Sequence, residues 1–173
     1  MSRLAPTLAL STAVLLLGCH AAEQLGSDPT AASASTGAPW GPETPHFNLE
    51  VILRGAGGGF GHVKFRQPND DLLTIHLDTW VRDLAPNTAY LLQRAVDTNL
   101  DGVCTGTAWL TLGKGSTPQA ILTDERGTGS EALFRSVSAF PVGSAFDIHF
   151  RVIDQATSAV ALESGCYQFT ISQ

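Results

Sequence analysis

The stretch GHVKFRQPNDDLLTIHLDTWV, residues 61–81, decides the fold class. Apolar side chains occupy alternate positions on both sides of the segment QPNDD, and mostly polar side chains fill the positions between them. A period of two is typical of β-strands that bury one face, and a cluster of Pro, Asn and Asp marks a turn. The stretch therefore predicts two antiparallel strands joined by a turn.

The same period continues outward in both directions. Residues 47–54, FNLEVILR, alternate in the same way, and a glycine cluster at 55–61 separates them from the next strand. No segment after the leader repeats apolar residues with helical spacing. Short strands separated by turn residues predict an all-β sandwich or barrel. The further strands are predicted at 89–96, 107–112, 120–123, 131–137, 145–153, 160–162 and 167–172.

One local motif refines the expected architecture. Residues 84–90, LAPNTAY, match the pattern L-x-P-x-T-x-Y. This resembles the tyrosine corner of fibronectin type III and immunoglobulin-like domains, and the resemblance implies that the Tyr90 hydroxyl bonds back to the preceding backbone. The domain is also similar to small secreted bacterial domains of unknown function. The resemblance implies an immunoglobulin-like antiparallel β-sandwich, preceded by a signal peptide and a disordered linker.

The first nineteen residues, MSRLAPTLALSTAVLLLGC, carry one early positive charge and a short apolar run. The run is too short to span a bilayer and is typical of a secretory signal peptide. Its end, LLGC, resembles the lipobox of bacterial lipoproteins, which implies cleavage after residue 18 and lipid modification of Cys19. The alternative is an ordinary signal peptide followed by an incidental cysteine. Because His20 replaces the aspartate of inner-membrane lipoproteins, the outer membrane is favoured in a Gram-negative cell.

Three segments follow from these patterns. Residues 1–18 form the predicted signal peptide. Residues 19–45 comprise the lipidated cysteine and a flexible linker rich in Ala, Ser, Thr, Gly and Pro. Residues 46–173 form one β-sandwich domain, since a chain of 173 residues is typical of a single core. The protein is expected to be a membrane-anchored lipoprotein of the cell envelope, on the extracytoplasmic side.

Two cysteines remain after the lipidation site. Cys104 and Cys166 form an even pair in an oxidising compartment, so a disulfide between them is predicted. The alternative is a pair of free buried thiols. A metal site built on two cysteines would need further ligands at close spacing, and none flank either residue.

A metal site on the outer strand faces is the alternative functional hypothesis. The candidate ligands alternate with core positions, and they are His62, His76, Asp78, Asp147 and His149. Matching strand faces requires residue numbers that sum to an even value, so His62 lies opposite His76 or opposite Asp78. Copper–zinc superoxide dismutases also carry histidines on a sandwich, but they show an H-x-H pair that this chain lacks. Solvated strand residues paired with nearby carboxylates are the preferred interpretation.

Residues 97–102, DTNLDG, match the opening of a calcium-binding loop. The twelfth position is Ala108, where a bidentate glutamate is needed, and no helical pattern flanks the loop. The segment is therefore interpreted as a turn between strands. The glycine-rich segments lack the spacing of nucleotide-binding loops, and no G-x-S-x-G motif is present.

Composition and net charge exclude some classes of function but do not identify one. The net charge of −6 argues against nucleic acid as a partner, because phosphates would be repelled. No cofactor and no enzymatic activity are predicted. The expected function is a non-catalytic binding or envelope-associated module, with an envelope protein, a glycan or a small ligand as partner. The alternative is a metal-binding domain or metalloenzyme that uses the outward His and Asp residues.

Overall fold

The computed structural model of the protein describes residues 47–68 and 71–172. All regular secondary structure in these residues is β-strand, which confirms the prediction of an all-β domain. The same residues contain no helix with the length and apolar character needed to cross a membrane. The predictions of a signal peptide, a lipidated Cys19 and a linker fall on residues 1–46, outside the described part of the chain.

Twelve strands account for the described fold, and most of them cover the segments in which the sequence alternates with a period of two. Their bounds are β1 Phe47–Arg54, β2 Phe60–Gln67, β3 Thr74–Arg82, β4 Ala89–Asp97, β5 Leu110–Thr111, β6 Gly113–Lys114, β7 Thr117–Pro118, β8 Ile121–Leu122, β9 Gly129–Ser136, β10 Ala145–Asp154, β11 Val160–Ser164 and β12 Tyr167–Thr170. The strands from β5 to β8 have two residues each, too few to show a period in the sequence.

The strands form one hydrogen-bonded sheet in the order β5–β4–β10–β11–β1–β2–β3–β9–β6–β7, with β8 paired to β4 and β12 paired to β10. Neighbouring strands are antiparallel except β6 and β9, which are parallel. Only Leu112 separates β5, at one end of the sheet, from β6, next to the other end. Because the chain itself crosses between β4 and β9 here, the sheet is a nearly closed barrel. We call this crossing, residues 110–114, the seam.

The inner face of the barrel is the hydrophobic core. On β2, Val63 and Phe65 are buried while the positions between them are only half-buried, as the period of two predicts. The Phe65 ring packs edge-on against Phe169, with ring centroids 4.8 Å apart, and against Phe150 at 6.0 Å. Burial of such large side chains is the main source of stability in a domain of this size.

The corner between β3 and β4 has the predicted hydrogen bond. The buried Tyr90 hydroxyl accepts a hydrogen bond from the backbone N–H of Ala85 at 3.1 Å. The Thr123 hydroxyl donates to the Ala85 carbonyl at 2.7 Å, which ties the corner to the segment after β8. Gly127 closes the hairpin beside it with φ +74°, and a Cβ there would lie 2.0 Å from the Leu84 carbonyl oxygen. Only glycine fits that position.

Candidate functional site

The five residues of the alternative metal site lie on separate parts of the barrel. His62 is on β2, and His76 and Asp78 are on β3, whereas Asp147 and His149 are on β10. Strands β11 and β1 lie between β10 and β2. Within residues 47–68 and 71–172, no group of three or more His, Cys, Asp or Glu side chains could hold a metal ion. The structure does not bring the predicted ligands together.

The predicted pairing of His62 with His76 or Asp78 is wrong. His62 lies opposite Trp80, because the turn between β2 and β3 takes more residues than either predicted register allows. The numbers 62 and 80 still sum to an even value, as matching strand faces require. The His62 ring contacts the Glu50 carboxylate instead, which is the kind of local partner that the preferred interpretation expects.

Asp147 and His149 face outward on β10 but are covered by the segment that follows β4. The Asp147 side chain is fully buried and accepts a hydrogen bond from the backbone N–H of Gly102 at 2.7 Å. A ring nitrogen of His149 lies 3.0 Å from the Gly106 carbonyl oxygen, and the imidazole packs on the Trp109 ring at 4.6 Å between centroids. Both side chains therefore hold this covering segment on the barrel.

The carboxylates of the calcium-like motif, residues 97–102, accept hydrogen bonds from nearby backbone N–H groups. Oδ2 of Asp97 accepts hydrogen bonds from the N–H groups of Thr105 and Gly106, both at 2.9 Å. Oδ1 of Asp101 accepts one from Val103 at 2.9 Å. This pattern is that of an Asp-stabilised turn, in agreement with the interpretation from sequence.

The predicted disulfide is present. Cys104 and Cys166 are bonded, with their Cα atoms 5.3 Å apart and their positions separated by 62 in the sequence. Cys104 lies in the segment that covers β10, and Cys166 directly precedes β12. The bond therefore ties this covering segment to the last strand of the domain.

Two tryptophans, Trp80 and Trp109, lie on the outer surface at different strands of the barrel. Trp80 on β3 packs edge-on against Phe60, and Arg82 lies over the Phe60 ring at 5.1 Å. Trp109 lies on the outside of β10, where the Arg151 guanidinium is 4.0 Å from its ring centroid. Each aromatic ring already has a cationic partner, and neither tryptophan belongs to the core.

A cavity of about 350 Å³ opens into the barrel beside the seam. It lies at the end of the barrel where β4 and β9 end and where β3 and β10 begin. Phe140, in the loop after β9, contributes both to the wall and to the outer surface, with 43% of its area exposed. The rest of the wall is mainly apolar and includes Phe65, Ile75, Leu77, Leu110, Ile148 and Phe150.

Two arginines line this cavity from the two sides of the seam. Arg94 on β4 lies two positions after the buried Leu92, and Arg135 on β9 lies two positions after the buried Leu133, so both are on the inner face of the barrel. Neither guanidinium makes an ion pair or a hydrogen bond with a side chain in the described part of the protein. Burial, and to a lesser degree the positive charge of Arg135, holds the pKa of Arg94 below its usual range.

A pattern in the sequence indicates one of these arginines, but the strand prediction does not take it into account. Leu92, Arg94 and Val96 share one parity on a strand whose inner positions are otherwise apolar. A charged residue at an inward position of a half-buried strand is rare unless it has a partner or a ligand. The convergence of Arg94 with Arg135 is not visible from sequence, because it depends on the path of the seam.

Comparisons of the chain with models of known protein families, with curated proteins and with solved structures found no match.

Proposed function

We propose that the protein is a lipid-anchored protein of the cell envelope whose β domain is a non-catalytic binding module on the extracytoplasmic side. The leader supports the anchor, since its apolar run ends at LLGC with Cys19 as the last residue. Lipoprotein modification adds more than one acyl chain, and each buried CH₂ contributes about 0.8 kcal/mol, so the attachment would be stable. The outer membrane is the proposed location in a Gram-negative cell.

The immunoglobulin-like identity of the domain is part of this proposal. The hydrogen bond from Ala85 to the Tyr90 hydroxyl supports it, because the same bond fixes the corner in that class of domain. The antiparallel pairing of the long strands around an apolar core is also consistent with it. It adds no activity to the proposed function.

The binding role rests on one observation, the open apolar cavity beside the seam. Its volume of about 350 Å³ is within the range of sites that bind small molecules, and such sites combine apolar walls with a few polar groups. Here the charged groups are contributed by Arg94 and Arg135. We propose that the ligand is a small molecule with a mainly apolar body.

The side chains around the cavity support binding over catalysis. The described residues of its wall include no His, Asp, Glu, Cys or Lys, the residue types that most often transfer protons or form covalent intermediates. Arginine stays protonated and cannot act as a base near neutral pH. Among the described residues, the Ser136 side chain has hydrogen bonds only with Ser138, so no base in that part of the chain activates its hydroxyl.

Truncation of the cavity wall tests the binding role. The neutral fluorescent probe N-phenyl-1-naphthylamine should bind residues 19–173 carrying Cys19→Ala, a mature chain without lipid. Phe140→Ala is expected to weaken this binding about 5- to 30-fold, because a large apolar contact is lost. The matched control is Phe134→Ala, which removes a similarly exposed ring (41% against 43%) from the outer face. Absence of probe binding, or equal effects of the two variants, would contradict the proposal.

The anchor has a separate test. Protein extracted from the membranes of its native host should have the mass of a chain that begins at Cys19 and carries acyl chains. Cys19→Ala is expected to move the protein from the membrane fraction to a soluble or uncleaved form, because the site of lipid attachment is lost. Unmodified wild-type protein in the culture supernatant would show that the leader is an ordinary signal peptide.

A further inference from the structure

We propose that Arg94 and Arg135 bind the carboxylate of an amphiphilic ligand whose hydrocarbon body occupies the cavity beside the seam. This inference rests on the proposed binding function and names the chemical class of its ligand. The class is a single carboxylate group attached to an apolar body.

The two charged side chains lie next to the apolar residues that line the cavity. Arg94 pairs across the sheet with Phe150 of β10 on one side and with Leu110 of β5 on the other. Arg135 pairs with Ile75 of β3. These three apolar partners all line the cavity. Arg94 and Arg135 therefore lie beside the same apolar wall that would contact the body of the ligand.

Among the described residues, Arg94 and Arg135 differ from some other arginines in having no counter-charge. Arg66 donates to the Asp78 carboxylate at 2.6 Å, and Arg82 donates to a neighbouring aspartate. Arg151 donates from Nε to the Gln93 side chain at 2.8 Å and also stacks on a tryptophan. Arg94 and Arg135 have no such partner among the described residues, although Arg94 is more shielded from water than the surface arginines.

The electrostatics of the two arginines favour an anionic head group. Two like charges in a partly desolvated site repel each other, and each has lost part of its hydration. A carboxylate placed between them would relieve the repulsion and accept charge-assisted hydrogen bonds from the planar guanidinium groups, which match its geometry. A neutral hydroxyl group would do neither to the same extent. The site therefore distinguishes an anionic head group from a neutral one.

Matched ligands test the inference on the unlipidated mature chain, residues 19–173 with Cys19→Ala. Dodecanoate and dodecanol have the same chain length and differ in the charge of the head group. Displacement of N-phenyl-1-naphthylamine should show dodecanoate binding at least 10-fold more tightly than dodecanol at low ionic strength. The difference should shrink as salt is added, because mobile ions screen the attraction between the carboxylate and the guanidinium groups.

Variants assign the preference to the two arginines. Arg94→Gln and Arg135→Gln are each expected to reduce the preference for dodecanoate to about 3-fold or less, with little change in dodecanol affinity. Arg66→Gln is the matched control, since it removes an arginine from the outer face of the barrel, and it should leave the preference unchanged. Arg94→Lys keeps the charge without the planar fork, so it should retain a reduced preference for dodecanoate.

The outcomes separate the two proposals. If dodecanol and dodecanoate displace the probe equally well from the wild-type chain, the carboxylate inference is wrong while the apolar binding site stands. If the probe does not bind the wild-type chain at all, both proposals fail. A preference for dodecanoate that survives in both glutamine variants would also overturn the assignment of Arg94 and Arg135. The wild-type comparison decides the head-group question even if a variant fails to fold.

Discussion

Replacing Cys104 and Cys166 together with alanine is expected to lower the free energy of unfolding by about 4 kcal/mol. The disulfide joins residues 62 positions apart, so it restricts a long segment of the unfolded chain. The chain-entropy account assigns about 4 kcal/mol to a loop of this length, an upper-range value because strain subtracts from it. That is a large part of the roughly 5–15 kcal/mol that stabilises a typical domain.

Urea unfolding and thermal melting of the unlipidated mature chain measure this loss. The melting temperature of the double variant should fall on the order of 10 °C. Wild-type protein reduced by dithiothreitol is the matched control, and its unfolding should resemble that of the variant because both lack the same cross-link. Equal stability of the oxidised and fully reduced wild-type protein would contradict the expectation.

The all-β fold could be predicted because each long strand shows a period of two in its own sequence. On β2 and β3 the period of two marks which side chains are buried, and the buried positions are those that the alternation predicts. The same period fixes only the parity of the register. The position of Trp80 opposite His62 depends on the length of the turn between the strands, which local sequence does not determine.

The closure of the barrel could not be predicted for a related reason. Leu110–Thr111 and Gly113–Lys114 are each too short to show a period, yet they connect the two sides of the sheet. Their pairing is determined by the partner strands β4 and β9, which are distant in the sequence. The cavity lies beside this seam, so the candidate binding site could not be predicted from the sequence either.

The candidate metal ligands on the outer faces of the strands did not indicate a metal site. His and Asp residues on outward positions of strands are common, and convergence requires that their strands be neighbours in the sheet. Here β11 and β1 separate the strand of His149 from that of His62. The more informative signal was Arg94, an inward charge on an otherwise apolar face. A buried or half-buried charge needs an explanation more than an exposed one does.

Replacing Arg94 with methionine is expected to stabilise the domain without ligand by about 1–2 kcal/mol. Methionine keeps a long, flexible apolar stem against the cavity wall and removes a partly desolvated charge that faces Arg135. Urea unfolding measures the change. Arg66→Met is the matched control, because it removes an exposed arginine that pairs with Asp78, and such pairs contribute about 0–1 kcal/mol. A loss of stability in Arg94→Met would show that its guanidinium has a structural role and would weaken the case for a ligand.

Addition of dodecanoate should narrow the difference in stability between the wild-type chain and Arg94→Met. At a ligand concentration of about 100 times the Kd, binding adds about 2.7 kcal/mol to the free energy of unfolding of the wild-type chain. Arg94→Met binds the carboxylate more weakly and gains less at the same concentration. An affinity for the anion that is about 3- to 10-fold weaker lowers this gain by about 0.6–1.3 kcal/mol, so dodecanoate removes much of the advantage that Arg94→Met has in the free protein. Such a narrowing requires that the Arg94 guanidinium contact the anion in the complex, because an arginine with a purely structural role would leave the difference between the two chains unchanged.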